Sequence, residues 1–478
     1  MSSLSRREFL RTGLIGGAVA SLSGPLGIAA TGEQQAKSAG KPNIIFILGD
    51  DWGLDDTGCY GSDRHKNRTP NIDALAAGGI RFERCYSAPL CGPTRCEINT
   101  GRYAFRTGGL TNPVAGQPKS QDEYPLGRIL TAAGYDTCHA GKWRQMGQTP
   151  GDWGFGEYIT DNTAGGWYWQ KNYTKNGKLV ETPEEVYCPD VYHAFAVDFL
   201  RCHAPKDSAP AKPFYLYYAS HLVHGPIVRT PDSKPGETDP VTLYNDNVAY
   251  LDKQVGALAA EIDKLGLREN TLIVFSTDNG TVGQPNAIGG RKINGVKGTM
   301  LEGGARVPLI ANWKGVAPAG RVLKDLVDFS DVLPTFVEVA GAKLPQGVTI
   351  DGRSFAPQIR GQKGNPREWI YVQLGRRWYV RDDGWKLTQA GELFDMKDSP
   401  FVEQAVAEDS KDEAAVAARK RLQAVLDKLN PAGGKTISAE DEAAAKNRAQ
   451  KQRQKQGQKK GQKKGQKKAK AGQQAQTE

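Results

Sequence analysis

The segment PNIIFILGDDWG, residues 42–53, joins a short apolar run to a pair of acidic residues. No charge interrupts the run from Asn43 to Leu48, which is typical of a strand buried on both faces of a sheet. Four other stretches resemble it: Tyr135–His139, Phe214–Ala219, Leu272–Ser276 and Val307–Ala311. Helical patterns lie between them, at Asn71–Gly78, Thr94–Asn99, Pro125–Ala133, Val191–Cys202, Tyr244–Leu265 and Ser330–Ala340. Strands that alternate with helices predict an α/β fold.

Polar clusters follow four of these predicted strands. They are Asp50-Asp51 after the first, Lys142 after the second, His221 and His224 after the third, and Asp278-Asn279 after the fourth. Because ligands bind at the carboxyl ends of strands in open α/β sheets, we expect the clusters to meet in one site. His221 on its own fits an ordinary loop histidine.

The two acidic segments predict a metal site. Asp50, Asp51, Asp278 and Asn279 offer three carboxylates and one amide carbonyl, with no thiol or imidazole among them. Such a set suits a hard divalent cation, and a cage made mostly of protein oxygens favours Ca²⁺ over strongly hydrated Mg²⁺. Taken singly, an Asp pair also fits a helix N-cap, and Asp-Asn-Gly fits a tight turn.

The stretch SAPLCGPTRCEINTGRY, residues 87–103, places Cys91 where a helix begins. Pro93 suits the first turn and Gly101 the end of that helix. A side chain at the N-terminus faces backbone N–H groups and the positive end of the helix dipole, which predicts a seat for an oxyanion. Arg95, one turn further on, can fold back onto the same anion. The alternative is a buried structural cysteine beside a capping proline.

This stretch resembles the signature of the sulfatase family. In that signature Cys, any residue, Pro, a small hydroxyl residue and Arg precede a closing Thr-Gly-Arg. The chain supplies all of these, namely Cys91, Pro93, Thr94, Arg95, Thr100, Gly101 and Arg102. The resemblance implies that Cys91 is oxidised to formylglycine by a formylglycine-generating enzyme. One hydroxyl of the hydrated aldehyde would displace the alcohol from sulfur, and the other would then expel sulfate by reforming the aldehyde.

Further motifs extend the resemblance over residues 42–400. They are TPNIDALAAGGIRFERCY (69–86), GYDTCHAGKW (134–143), HGP (224–226), STDNG (276–280), VKGTMLEGGARVP (296–308) and ELFDMKDSP (392–400). The resemblance implies an alkaline phosphatase-like fold, in which helices sandwich a large mixed sheet. It also implies one Ca²⁺ bound by Asp50, Asp51, Asp278 and Asn279 together with the group at position 91. Arg95 would orient the nucleophile, Lys142 and Lys297 would hold sulfate oxygens, and His224 would donate a proton or bind sulfate.

One departure from the family pattern lies beside Lys142. The Gly-Lys-Trp segment usually continues with His, but Arg144 stands in that place here. Arginine can bind sulfate in a bidentate manner, yet its pKa is too high for acid–base work, so His224 or water would have to supply the proton. Two other readings of the chain stay open at this point: a phosphate or phosphonate ester hydrolase on the same fold, and an inactive protein that binds sulfated polysaccharide.

The C-terminal part of the chain has a different texture. Residues 351–432 predict a small α+β subdomain of short antiparallel strands followed by a helix at Glu413–Leu429, after a catalytic domain at 42–350. Residues 433–478 predict a disordered tail that contains the unit GQKK three times (457–468).

The chain has a net charge of +10, but residues 446–478 alone carry +11. The body is therefore nearly neutral, and the tail favours either a solubilising role or weak contact with an acidic polymer. Nothing predicts a specific nucleic-acid site.

The first residues indicate export. Arg6 and Arg7 precede a Gly- and Ala-rich apolar stretch, so that residues 1–36 resemble a twin-arginine signal and predict a periplasmic or secreted protein. No apolar run approaches the roughly 20 residues of a membrane span.

The seven cysteines form no CxxC pair. An odd number leaves at least one thiol unpaired, for which we select Cys91, while Cys85 and Cys96 are candidates for a disulfide.

Overall fold

A computed structural model describes residues 40–112, 118–143, 146–161, 167–205, 212–282, 286–444 and 447. The predicted signal segment 1–36, Arg144 and the repeats at 457–468 lie outside these residues.

The helices and strands follow in chain order. The α-helices are α1 Pro70–Ala77, α2 Cys91–Thr100, α3 Ala104–Thr107, α4 Leu126–Ala132, α5 Cys188–Cys202, α6 Pro240–Lys264, α7 Glu302–Ala305, α8 Val332–Val339, α9 Ala356–Ile359 and α10 Glu413–Leu429. The strands are β1 Asn43–Gly49, β2 Ile80–Tyr86, β3 Asp136–Gly141, β4 Glu157–Thr160, β5 Trp169–Lys175, β6 Lys178–Tyr187, β7 Phe214–Ala219, β8 Thr271–Thr277, β9 Ala287–Ile288, β10 Arg291–Lys292, β11 Arg306–Trp313, β12 Arg321–Asp328, β13 Ile370–Leu374, β14 Arg377–Arg381, β15 Trp385–Thr388, β16 Leu393–Asp395 and β17 Gln404–Val406.

Within the described residues a ten-stranded sheet forms the body of the protein, in the order β12-β2-β11-β8-β1-β7-β3-β4-β5-β6. The five strands predicted from the sequence are its contiguous centre, β11-β8-β1-β7-β3. β1 pairs in parallel with β7 and β8, so that Phe46 lies between Tyr217 and Val274. β11 runs antiparallel to β8, and the sheet is therefore mixed, as predicted.

Helices cover both faces of this sheet. On β1, Ile44, Phe46 and Leu48 face the layer that contains α2, α4 and α8. Ile45 and Ile47 face the opposite layer, which contains α1, α5 and α6. All five side chains are almost completely buried, which explains why the run contains no polar residue. The predicted helices are all present, to within about one helical turn at their ends.

The C-terminal part of the chain forms the predicted small antiparallel sheet, in the order β13-β14-β15-β16-β17, with α10 packed on it. The helix spans Glu413–Leu429, the predicted bounds. Tyr103 and Phe105, from the region around α3, lie in the same core, so residues that precede the subdomain in sequence contribute to its packing. Residues 433–444, predicted as the start of the tail, belong to the described part of the chain, and Ile437 packs there on Ala104 and Leu110.

Two further findings concern the membrane and the cysteines. Among the described helices, none combines the length and the apolar character needed to cross a bilayer. All seven cysteines are described, and all are free thiols. The suggested disulfide between Cys85 and Cys96 is therefore wrong; both thiols are buried in one apolar core cluster, Cys85 on β2 and Cys96 on α2.

Candidate active site

Asp50 and Asp51 lie where β1 ends, and both side chains are buried. The backbone holds them on two sides. The Asp50 N–H donates to the carbonyl of Leu222 (2.9 Å), and the Asp278 N–H donates to the carbonyl of Gly49 (3.0 Å). Asp51 adopts a left-handed conformation, with φ of 56°, which only a few non-glycine residues tolerate and Asp is one of them.

Asp278 and Asn279 lie at the end of the adjacent strand β8 and contact the first acidic pair directly. The Asp51 N–H donates to Asp278 Oδ1 (3.3 Å). The amide nitrogen of Asn279 donates to Asp51 Oδ1 (2.9 Å). The two acidic segments, more than two hundred residues apart in sequence, thus form one cluster, as the sequence predicts.

Cys91 is the first residue of α2 and lies against this cluster. Its Sγ is 3.7 Å from Asp50 Oδ1 and 3.9 Å from Asp51 Oδ1, and its side chain is completely buried. Burial, followed by repulsion from Asp278, raises the pKa of the Cys91 thiol to about 12. The predicted beginning and end of the helix are present, because Gly101 ends it with φ of 65°.

One expectation about this helix needs correction. The sequence predicts that its N-terminal N–H groups are open to an oxyanion, but the Gly92 N–H donates to the side-chain oxygen of Asn112 (2.9 Å). The Thr94 N–H bonds the carbonyl of Leu90 (3.2 Å), and Pro93 has no N–H. The Gly92 N–H is thus taken by a protein acceptor, and the Thr94 N–H makes the first hydrogen bond of the helix itself.

The Arg95 guanidinium group is buried between acids and does not reach over the cysteine. Its Nε and one terminal nitrogen donate to Asp278 Oδ2 (3.1 and 2.8 Å), and that same terminal nitrogen is 3.3 Å from Asp50 Oδ2. Its other terminal nitrogen donates to the carbonyl of Lys142 (3.1 Å). Burial would lower the pKa of Arg95, but Asp278 and then Asp50 raise it, so the group is a permanent cation. Arg95 therefore fixes the acids around the cysteine.

Two lysine ammonium groups flank the cysteine sulfur. The Nζ atoms of Lys142 and Lys297 lie 3.4 and 3.2 Å from Cys91 Sγ. Lys142 also contacts Asp50, and Lys297 contacts Asp51. Burial opposes the charge of both lysines, yet Asp50 raises the pKa of Lys142 and Asp51 raises that of Lys297. Two fixed positive charges therefore face position 91.

His224 completes the cluster at its partly exposed side. Its Nε2 lies 3.7 Å from Asp51 Oδ2. Its Nδ1 lies 2.5 Å from the carbonyl of Gly225, and because a carbonyl can only accept, Nδ1 carries the hydrogen. Loss of solvent, and then the nearby Lys142 ammonium, lower the pKa of His224 well below its usual value.

Two of the predicted metal ligands, Asp50 and Asp51, form a possible metal-binding group with Cys91 and His224, and one ligand atom of each lies within 4.8 Å of the others. The predicted ligands Asp278 and Asn279 contact Asp51 but are not among these four residues. The carboxylate oxygens suit a hard cation, whereas the Cys91 thiol and the His224 imidazole are softer ligands. Asn279 Oδ1 is buried with no hydrogen-bond partner, which is costly unless a ligand takes its lone pairs. Burial and repulsion from Asp278 raise the pKa of Asp50 to about 7, a strain that a bound cation relieves.

Several neighbours of the cluster carry no sequence signal. The Trp167 ring packs against His224 (5.0 Å between centroids), and Lys142 Nζ lies 5.6 Å from the centre of the same ring. The Tyr168 hydroxyl lies within hydrogen-bond distance of the carbonyls of His221 (3.0 Å) and His224 (2.6 Å). His221 lies in a loop, as expected, but it is fully buried, with Nε2 3.3 Å from Asp161. Trp167 is one of two tryptophans in the stretch GGWYW, residues 165–169, and the sequence alone does not tell which of them faces the site.

Comparisons with known proteins agree with this geometry. The sequence model named Sulfatase matches residues 42–342, and the model named N-sulphoglucosamine sulphohydrolase, C-terminal, matches residues 296–430. Arylsulfatase A of Homo sapiens is 33% identical over 365 residues, which cover 69% of this chain and 70% of that protein. N-acetylgalactosamine-6-sulfatase of Canis lupus familiaris is 32% identical over 386 residues, covering 72% and 71%.

Solved structures show the same similarity. Ps i-CgsB, solved in complex with k-i-k-neocarrahexaose, has a TM-score of 0.68 at 28% identity, and the match covers 81% of this chain and 92% of that one. The PsFucS1 sulfatase from Pseudoalteromonas sp. has a TM-score of 0.70 at 24% identity, covering 84% and 93%.

Proposed function

The chain belongs to the sulfatase family of sulfuric ester hydrolases, and on this premise we propose that it cleaves carbohydrate or aryl sulfate esters with a calcium-assisted formylglycine nucleophile made from Cys91. The observation that carries the proposal is the position of the Cys91 sulfur, within 3.9 Å of two acids and 3.4 Å of two lysine ammonium groups.

The nucleophile is an oxygen of the hydrated aldehyde at position 91. It attacks the sulfur of the ester, the bond from sulfur to the alcohol oxygen breaks, and that alcohol leaves with a proton. The second hydroxyl then loses its proton, the aldehyde reforms, and sulfate departs. Lys142 and Lys297 are placed to hold the sulfate oxygens, where fixed charges stabilise the negative charge that develops.

Asp50, Asp51, Asp278 and Asn279, together with the group at position 91, would hold the metal ion. Bound there, the ion supplies a Lewis acid that stabilises charge on the nucleophile and on the sulfate. We favour Ca²⁺ because the set consists of oxygens contributed by protein. Arg95 keeps Asp278 and Asp50 in place, and because it is always charged it takes no part in proton transfer.

We place the leaving group on the side of the cluster that His224 and Trp167 form. The hydrogen on Nδ1 is directed to Gly225, so Nε2 is the atom that faces Asp51 and the sulfate position. The lowered pKa of His224 leaves Nε2 without a proton at neutral pH, so the proton that the departing alcohol needs would come from the small protonated fraction of His224 or from water. The Trp167 ring, packed on His224, gives this side an aromatic wall suited to a phenol or a sugar ring.

The first test concerns position 91 itself. Protein from its native host should contain a Cys91 peptide about 18 Da lighter than the unmodified one, the difference between the thiol and aldehyde side chains. Cys91→Ala and Asp278→Ala should each abolish turnover of an aryl sulfate. A fully active Cys91→Ala protein would rule out the mechanism.

A second assay separates the ester classes. An aryl sulfate and the matching aryl phosphate should be compared with and without added Ca²⁺. The sulfate should be the better substrate, and a chelator should suppress its turnover. A preference for the phosphate would move the assignment to phosphate ester hydrolysis.

We also propose where the modification occurs. Cys91 is completely buried in the folded protein, so a formylglycine-generating enzyme must reach it before folding. A twin-arginine signal transports folded chains, so modification would precede export to the periplasm or medium. Expression with the leader replaced by one for unfolded export should yield unmodified Cys91.

The basic segment 446–478 is proposed to attract an acidic polymer. Deletion of these residues should leave turnover of a small aryl sulfate unchanged and should reduce salt-sensitive retention on a sulfated polysaccharide column. Unchanged retention would leave this segment without a role in substrate contact.

A further inference from the structure

Asn112 lies at the N-terminus of α2 and bonds the peptide group that follows the nucleophile. Its side-chain oxygen accepts the N–H of Gly92 at 2.9 Å. That N–H belongs to the peptide unit joining Cys91 to Gly92, so the hydrogen bond restrains the backbone from which the side chain at position 91 projects. None of the sequence motifs described above includes Asn112.

Gly92 has no Cβ atom on the side where Asn112 approaches. A Cβ atom added at position 92 would lie 2.1 Å from the Asn112 side-chain oxygen and 3.3 Å from its Cγ, so Asn112 would have to move away from the Gly92 N–H. The signature accepts any residue between its Cys and its Pro, so the signature alone does not demand glycine here. The glycine is explained by the close approach of Asn112.

The other hydrogen bonds of the first turn of α2 are made with residues just before the helix. The Thr94 hydroxyl donates to the carbonyl of Ala88 (2.8 Å), and the Thr94 N–H donates to that of Leu90 (3.2 Å). Asn112 contacts the same turn from a loop that follows the helix. The position of Cys91 leaves little space for movement, because its sulfur lies only 3.2 Å from Lys297 Nζ and 3.4 Å from Lys142 Nζ.

We propose that Asn112 is a positioning residue that holds the nucleophile at position 91 against the metal ligands and the two lysines, an inference that rests on the proposed function. It acts through the backbone of Gly92 and not on the substrate. Because a misplacement of about 1 Å at a reacting group can lower a rate roughly 100-fold, loss of this hydrogen bond should appear in kcat.

The first experiment compares Asn112→Ala with Asn112→Asp in the full-length enzyme. Asn112→Ala should lower kcat for an aryl sulfate by about 10- to 100-fold and leave KM nearly unchanged, because binding of the ground state does not use this contact. Asn112→Asp keeps an acceptor at the helix N-terminus and should retain activity to within about 10-fold. Asn270→Ala, at a partly buried asparagine that bonds the backbone of Lys41 away from the site, is the matched control.

The second experiment is a double-mutant cycle with Gly92→Ala. If Gly92 is a glycine because of Asn112, the Gly92→Ala/Asn112→Ala protein should be no slower than the slower single variant. Multiplied losses would mean that the two residues act independently and would overturn the pairing. The formylglycine content of each variant, measured by mass spectrometry, corrects the rates for incomplete modification.

A third measurement does not depend on activity. Hydrogen exchange of the Gly92 amide, followed by NMR, should be slow in the native protein and much faster in Asn112→Ala, with an unchanged melting temperature. An inactive native enzyme with a protected Gly92 amide would count against the proposed function alone. An active enzyme whose kcat is unaffected by Asn112→Ala would overturn the positioning role.

Discussion

His139 is a buried imidazole beneath the candidate active site. It lies on β3, three positions before Lys142, and its ring packs edge-on against Trp143, Phe155 and Tyr217. It is completely buried, and neither ring nitrogen makes a hydrogen bond of good geometry. A buried imidazole without hydrogen bonds raises the free energy of the native state, and His139 makes no contact with Cys91 that would compensate for this cost.

Replacement of His139 by phenylalanine should therefore make the protein more resistant to acid. Burial, followed by repulsion from Arg95, lowers the pKa of His139 to about 3, against an ordinary value of 6.5. The unfolded chain thus binds an extra proton below about pH 6.5, and native stability falls with decreasing pH until about pH 3. His139→Phe removes this loss. In urea titrations, the difference in free energy of unfolding between His139→Phe and the native protein should shift in favour of the variant by about 2 kcal/mol between pH 8 and pH 5. A difference that does not grow as the pH falls would mean that His139 is charged or bonded in the native state.

The residues of the site differ in how far sequence could identify them. Asp50, Asp51, Asp278 and Asn279 are adjacent pairs at the ends of apolar runs, and the parallel pairing of β1 with β8 brings such ends together. Asn112 and Trp167 come from loops, where no periodicity fixes the direction of a side chain. Arg95 was assigned to the correct helix, but its partners are acids, which depend on the depth of the helix in the fold.

At the scale of elements, sequence predicted the centre of the sheet and missed its borders. β8 and β1 are buried on both faces, which forces a continuous apolar run that is easy to recognise. The border strands β2, β6 and β12 carry charged residues on a partly exposed face, so their apolar positions are interrupted. Their place in the sheet is decided by neighbours that are distant in sequence.

The end of α2 provides a test of packing at the scale of one element. Gly101 has φ of 65°, and an added Cβ would lie 3.1 Å from Leu333 Cβ and 3.2 Å from Ile350 Cγ2. Gly341 has a similar φ of 62°, but an added Cβ there meets nothing within 4 Å. Both alanine variants should lose about 1 kcal/mol from backbone strain, and Gly101→Ala should lose about 1–3 kcal/mol more from crowding.

The comparison of the two variants is made by urea unfolding monitored by tryptophan fluorescence. An equal decrease in the free energy of unfolding of the two variants would show that the side chains around Gly101 can move to accommodate a Cβ atom without loss of stability. In that case the end of the helix would be held by backbone geometry alone.

At the scale of the whole molecule, a buried ion pair joins the large sheet to the C-terminal subdomain. Arg381, on β14, lies 2.6 Å from Glu302, the first residue of α7, and both side chains are about 1% exposed. Burial alone would raise the pKa of Glu302, but Arg381 and then Arg306 lower it to about 2. The pair is therefore charged at neutral pH.

Removal of one partner should destabilise the entire protein. Arg381→Met leaves Glu302 buried without its main cation and should cost about 3–5 kcal/mol, in a single unfolding transition if sheet and subdomain unfold together. Arg381→Met/Glu302→Gln, which removes both charges, should recover part of this loss. Calorimetry distinguishes one transition from two. A separate early transition in Arg381→Met would show that the C-terminal subdomain unfolds independently.

Metal binding should be linked to the stability of the same cooperative unit. The predicted ligands come from the ends of β1 and β8 and from the start of α2, three elements that must be folded together before the donors converge. A cation that binds only the native state adds RT ln(1 + [L]/Kd), about 2.7 kcal/mol when Ca²⁺ is present at 100 times its Kd. Added Ca²⁺ should therefore raise the melting temperature of chelator-treated protein in a concentration-dependent manner, and Mg²⁺ should do so less at the same concentration. Asp278→Ala removes one ligand and should melt at a temperature that no longer responds to Ca²⁺. If the melting temperature of that variant rises with Ca²⁺ as much as that of the native protein, the cation binds elsewhere, and the cluster around Cys91 is held together by its lysine and arginine charges alone.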